Sequence, residues 1–106
     1  MAYHEQEIKE YKIVHWNNYG SEKIRINCYL HGGLVGVIHC VDPGTDLTPR
    51  YQSRVIHLKY TVDQFPSLIN TFRYEKPIYI FYNDSDGTPF GGIKTSHQEP
   101  VGEEES

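Results

Sequence analysis

Six histidines in a chain of 106 residues raise metal and acid–base chemistry first, because imidazole both ligates metals and titrates near neutral pH. A zinc centre needs three or four nitrogen, sulfur or carboxylate ligands converging at about 2 Å. The sequence offers neither a C-x-x-C nor an H-x-x-x-H spacing, so no metal is expected. His39 sits in an apolar run and is expected to point into the apolar face of a sheet, bonded to a carbonyl or a tyrosine hydroxyl. Asp84-Ser85-Asp86-Gly87 begins like a calcium loop, but the glycine follows too soon and no glutamate stands at the closing position. Asp-Gly between strands is turn chemistry instead.

Cys28 and Cys40 are the only thiols, and both fall inside strand-like runs, where cysteine is usually a small buried hydrophobe rather than an activated thiolate. No nucleophile elbow, P-loop or dinucleotide fingerprint occurs, and no cofactor is expected. What remains is a polar set, Arg25, Asn27, Tyr29 and His31, alternating along one strand and so pointing in a common direction. Those residue types can stack on and hydrogen-bond a ligand or a single-stranded base. With His39 and His57 they form the candidate binding residues.

The element that must position them is Ile24 to Val41, IRINCYLHGGLVGVIHCV, which reads as a β-hairpin. Taking Gly32-Gly33 as a two-residue turn pairs Ile26 with His39 and Cys28 with Val37. One face then carries Ile24, Ile26, Cys28, Leu30, Val35, Val37, His39 and Val41. The other carries Arg25, Asn27, Tyr29 and His31 with Leu34, Gly36, Ile38 and Cys40. In this register the two cysteines lie on opposite faces and cannot bridge.

Around the hairpin, Tyr11 to Trp16 alternates as a first strand, Asn17 to Ser21 is a turn, and Asp42 to Ser53 reads as a loop of about a dozen residues, long enough to suggest function or mobility. Arg54 to Tyr60 is a further strand. The period then changes: Phe65, Leu68, Ile69 and Phe72 stand at i, i+3, i+4 and i+7, one face of a helix. Pro66 must lie in its first turn, which makes Asp63 the N-cap, and Pro77 closes its end, giving a helix over 64–75. Ile78 to Tyr82 is apolar on both faces, as in a covered central strand, and Phe90 to Thr95 returns after a hairpin loop. Residues 1–10 read as a frayed arm or a short helical turn. The expectation is an α+β domain: one antiparallel sheet of five or six strands in the order β-β-β-β-α-β-β, with one amphipathic helix packed on one face.

Composition bounds the rest. The net charge of −4 is carried wholly by Glu99, Glu103, Glu104 and Glu105, so residues 1–98 form a neutral single domain and 99–106 an acidic tail expected to be disordered. Without a run of basic residues, nucleic acid is disfavoured as a partner. The first residues lack the features of a signal peptide, no stretch is apolar enough to span a membrane, and unpaired thiols point to the cytosol. One helix cannot shield both faces of a sheet rich in apolar residues, which predicts a homodimer. The functional expectation is a small cytosolic, non-catalytic binding or adaptor protein with a protein or small-molecule partner. The alternatives are a small enzyme or ligand-binding domain with a pocket lined by histidine and tyrosine, and a single-stranded nucleic-acid-binding protein.

Overall fold

The computed structural model describes residues 2–95; the acidic tail lies outside the described residues. Among them are eight strands and one α-helix: β1 (Tyr3–Ile8), β2 (Glu10–His15), β3 (Glu22–Leu30), β4 (Gly33–Val41), β5 (Arg50–Gln52), β6 (Val55–Thr61), α1 (Phe65–Tyr74), β7 (Ile78–Asn83) and β8 (Phe90–Thr95). They form two sheets instead of one, a five-stranded sheet in the order β2-β3-β4-β6-β5 and a three-stranded sheet in the order β1-β7-β8.

Two features absent from the sequence reading shape this arrangement. The first ten residues are neither frayed nor helical: Tyr3–Ile8 pairs antiparallel with β7. The chain then turns at Lys9, whose N–H donates to the Tyr29 carbonyl at 2.8 Å, and continues as β2 beside β3. One extended run thus serves both sheets. The second feature is that β4 and β6 are parallel, so the connection 42–54 must cross β6 and return along its far side as β5, antiparallel to it.

The sheets pack face to face and share a core of Ile26, Cys28, Ile38, Cys40, Ile56 and Leu58 from the larger sheet with Ile8, Ile78, Ile80 and Tyr82 from the smaller. Gly36 lies at the contact: a Cβ there would stand 2.5 Å from Ile80 Cδ1, so the glycine sets how closely the sheets approach. The helix covers the remaining core face through the residues that its period predicts, with Leu68, Ile69 and Phe72 buried and Phe65 packed alongside. The Phe72 ring meets Tyr11 edge-on at 5.0 Å. Its start differs from expectation: a 3₁₀ turn over Val62–Gln64 runs straight into α1, and the N-cap is Gln64, without a side-chain cap. With a helical turn already leading in, Asp63 has no cap to make. The second sheet and the helix together cover one face of the five-stranded sheet.

The hairpin β3–β4 is present, but its register differs by two residues beside the turn, where Leu30 pairs with Gly33, and by one beyond an irregularity between Cys28 and Tyr29. His31 and Gly32, with φ of 52° and 81°, form the turn, as a type I′ hairpin requires at both central positions. Beyond it, Ile26 pairs with Ile38, Arg25 with His39 and Cys28 with Gly36. A one-residue slip moves every side chain of a strand to the other face. Here it sends Ile38 and Cys40 into the core and turns Val37, His39 and Val41 outward. The reason is chemical: the expected register would bury an imidazole between the sheets, whereas the observed one buries isoleucine and cysteine there. Cys28 and Cys40 therefore share the core face. With Cys40 opposite Ile24 and Cys28 opposite Gly36, they stand four positions apart along the sheet, roughly 13 Å, and both are free.

Candidate functional site

The slip brings His39 onto the same face as Arg25, its direct cross-strand partner. A bulge completes the arrangement. Glu22 pairs with Val41 but Ile24 with Cys40, so the extra residue Lys23 reverses the alternation, as bulges do. Glu22, which simple alternation assigns to the core side with Ile24 and Ile26, is turned to the outer face beside Arg25 and His39.

Glu22 is the hub. It is 8% exposed, and its carboxylate accepts from Arg25 Nε at 2.7 Å, Trp16 Nε1 at 2.6 Å and His39 Nδ1 at 2.6 Å. Burial pushes its pKa up, but the hydrogen bonds from Arg25, His39 and Trp16 outweigh it and hold the carboxyl below its usual range. The Arg25 guanidinium also lies over the stacked rings of Trp16 and Tyr19, 5.2 and 5.6 Å from their centroids. This pile of cation and aromatics screens the carboxylate from water.

From Glu22 the network continues along the sheet. His39 Nε2 lies 3.1 Å from His57 Nδ1 on β6. Burial lowers the His39 pKa and the charges of Arg25 and Arg50 add to that, with Glu22 opposing them. Burial, then the charges of Arg50, His39 and Arg25, bring His57 down to about 4. Both rings are neutral at pH 7, and the tautomers follow. The carboxylate can only accept, so His39 carries its proton on Nδ1 and presents a lone pair at Nε2. His57 Nδ1 must then donate to that lone pair, and the proton-free nitrogen of His57 is Nε2.

Beside this chain lies an open recess of about 300 Å³ lined by Tyr19, Glu22, Arg25, Thr45, Arg50 and Lys59 among others. Glu22 and Arg25 neutralise one another. Arg50 and Lys59 form no ion pair among the described residues. The Arg50 Nε–H donates to Gln52 at 3.0 Å, which leaves the rest of its guanidinium open. The Asp46 carboxyl is held below its usual range by the Thr48 hydroxyl and N–H first, with the charge of Lys59 adding to them. A roomier recess of about 540 Å³, lined by Leu47, Pro49, Tyr60, Pro89 and Phe90 among others, shares Lys59 with the first. It has more space but fewer converging charges, and size alone does not make a polar binding site.

Of the six candidate residues, the structure brings together Arg25, His39 and His57. His39 is not bonded to a carbonyl or a tyrosine in a core; it faces outward and is held by a glutamate and a histidine. Asn27 and Tyr29 share the Arg25 face further along β3 but join no part of the network. His31 is exposed in the hairpin turn. The residues that sequence reasoning missed are Glu22, Trp16, Tyr19, Arg50 and Lys59. The 42–53 segment lines the recess through Thr45 and Arg50, and its last part is strand β5. The buried thiols are pushed up, Cys28 to about 12 and Cys40 to about 11, by burial above all, and offer no nucleophile at neutral pH. No group of three or more metal-ligating side chains converges among the described residues, nor is any helix there long and apolar enough to cross a membrane.

The histidine pair gives the fold a definite acid sensitivity. Unfolded, His57 titrates near 6.5; folded, it titrates near about 4. Between those values the unfolded chain binds more protons, so stability rises with pH. The contribution is complete above pH 6.5 and is lost as pH falls toward 4. Thermal unfolding from pH 8 to 4 is expected to show Tm falling through this window, with a shallower fall in His57→Phe. Equal slopes in the two proteins would contradict it.

Comparison with known proteins yields no match: neither a family model, nor a curated protein, nor a solved structure is similar to this chain.

Proposed function

We propose that this chain is a non-catalytic ligand-binding domain that takes a small anion in the recess on the outer face of its five-stranded sheet. One observation carries the reading: Arg50 and Lys59 converge on a recess whose other charges, Glu22 and Arg25, are already paired. Uncompensated cations converging on one recess raise the local concentration of anions, and guanidinium matches the geometry of phosphate and carboxylate oxygens. The non-catalytic part rests on His39, whose two nitrogens are both engaged within the protein. Two unbridged cysteines fit a reducing compartment such as the cytosol. Self-association joins the proposal on one ground, the aromatic outer face of the three-stranded sheet, where Tyr3 and Phe90 are each 49% exposed.

Thermal unfolding with inorganic phosphate against chloride at matched ionic strength tests the reading. At ten times its Kd a ligand stabilises the fold by about 1.4 kcal/mol, a rise of several degrees in Tm for a domain of this size. The rise is expected in the wild type and absent in a variant carrying both Arg50→Ala and Lys59→Ala. Phosphate also strengthens folds generally by exclusion from their surfaces, so an equal rise in the two proteins would refute the site.

A further inference from the structure

We propose that the ligand of the recess is a free nucleoside monophosphate, with its phosphate on Arg50 and Lys59 and its base on the ring of Tyr19. This rests on the anion-binding reading and adds what the ligand must offer besides charge.

The argument starts from what stands at the other end of the recess. Tyr19 belongs to its lining and is 53% exposed. One face of its ring rests on Trp16, with centroids 4.5 Å apart and planes at 23°. The Arg25 guanidinium lies 5.2 Å from the Trp16 centroid and 5.6 Å from that of Tyr19. A cation nearly equidistant from two stacked rings flanks the pair; one capping the far side of Tyr19 would stand much farther from Trp16. Trp16 is the one ring that Tyr19 meets among the described residues, so the face of Tyr19 turned from Trp16 is open to a ligand.

The spacing then selects the ligand's shape. Arg25, His39 and Lys59 stand in one row across β3, β4 and β6, each paired directly with the next. Two strand spacings put the backbone of Lys59 about 10 Å from that of Arg25, and Tyr19 keeps to the Arg25 end. Arg50, on β5, lies one strand beyond β6. Cations and open ring therefore occupy opposite ends of one recess. A bare phosphate at the cationic end leaves the aromatic end unfilled. A nucleoside monophosphate carries a phosphate at one end and a flat aromatic base at the other, with a sugar to span the gap.

The recess is also of that scale. Its volume of about 300 Å³ equals the share of about ten waters in the liquid, several times what a phosphate group fills. Ser21 and Thr45 bring hydroxyls to the lining, and these suit a sugar. On Tyr19 the base would add one ring to the Trp16–Tyr19 stack, an interaction that every base can make. A single nucleotide is favoured over a strand because the sequence has no run of basic residues to follow successive phosphates.

Calorimetric titration of the full chain with adenosine monophosphate and with ribose 5-phosphate, at pH 7 and matched ionic strength, tests this. The two share a sugar and a phosphate and differ in the base. The wild type is expected to prefer the nucleotide by about tenfold, the effect of one base–aromatic stack. Tyr19→Phe is expected to keep that preference. Tyr19→Ala is expected to lose it while binding ribose 5-phosphate as before, and a preference that survives in Tyr19→Ala would overturn the proposal. If both ligands bind the wild type equally, the nucleotide is overturned while the anion site stands. If neither binds, the anion site falls and the nucleotide with it. Tighter binding of a single-stranded decanucleotide than of the mononucleotide overturns the free nucleotide in favour of a strand. Should Tyr19→Ala fail to fold or lose both ligands, NMR of the wild type still decides. Nuclear Overhauser contacts between the base protons and the Tyr19 ring support the assignment, and saturable nucleotide binding without them overturns it.

Discussion

Glu22→Ala is expected to destabilise the fold by about 3–5 kcal/mol, the range for removing one partner of a buried ion pair. Against a total stability of about 5–15 kcal/mol for a typical domain, that is a large fraction. The loss comes from what is left behind more than from what is removed. Trp16 Nε1, Arg25 Nε and His39 Nδ1 all donate to this one carboxylate, and alanine leaves three donors, one of them charged, without an acceptor in a place water reaches poorly. Chemical denaturation at pH 7 measures it. Glu22→Gln keeps an oxygen for Trp16 and Arg25 and is expected to cost less than half as much. A loss below about 1 kcal/mol for the alanine variant would mean that the outer face is wet and the network is an ordinary surface cluster.

Phe72→Ala is expected to cost a similar amount, about 3–5 kcal/mol, for an unrelated reason. Phe72 is 6% exposed and is the helix side chain that meets Tyr11 of β2. Removing the ring leaves a cavity between α1 and the five-stranded sheet, and it also deprives Tyr11 of its edge contact. Because this site lies on the opposite side of that sheet from Glu22, the two losses are expected to add within about 0.5 kcal/mol. A double variant measured in the same denaturant series checks that independence. Phe72→Ala within 1 kcal/mol of wild type would contradict the packing of the helix.

Much of the fold was legible because it depends on local pattern. The spacing Phe65, Leu68, Ile69, Phe72 announces the helix and its buried face, and the apolar run Ile78 to Tyr82 announces β7, although only its Ile78, Ile80 and Tyr82 face is buried. Strand β1 was not legible, since Tyr3–Ile8 has only Ile8 as an aliphatic core residue. Its partner β7 lies more than sixty residues away, and nothing local encodes so distant a pairing. The parallel pairing of β4 with β6 is hidden for the same reason.

The candidate site was half legible, and what hid the rest can be named. Arg25, His39 and His57 are visible as residue types, but their meeting depends on the hairpin register. Moving the turn from Gly32-Gly33 to His31-Gly32 shifts the pairing by two residues and keeps the faces; the irregularity between Cys28 and Tyr29 exchanges them, and no residue pattern announces it. Glu22 was hidden by the bulge at Lys23, which breaks the alternation on which face assignment relies. Arg50 and Lys59 belong to a crossover strand and its neighbour, and only the return of the chain across β6 sets them beside β3 and β4.

The central claim, that the outer face of the five-stranded sheet holds an anion, is tested most directly by recording backbone and arginine side-chain NMR resonances of the full chain while inorganic phosphate is added at constant ionic strength. The account predicts saturable shifts concentrated on Thr45, Arg50, His57 and Lys59, with the helix and the three-stranded sheet unmoved. Shifts that never saturate, or that gather instead around Leu68 and Ile93 on the far side of the molecule, would contradict it.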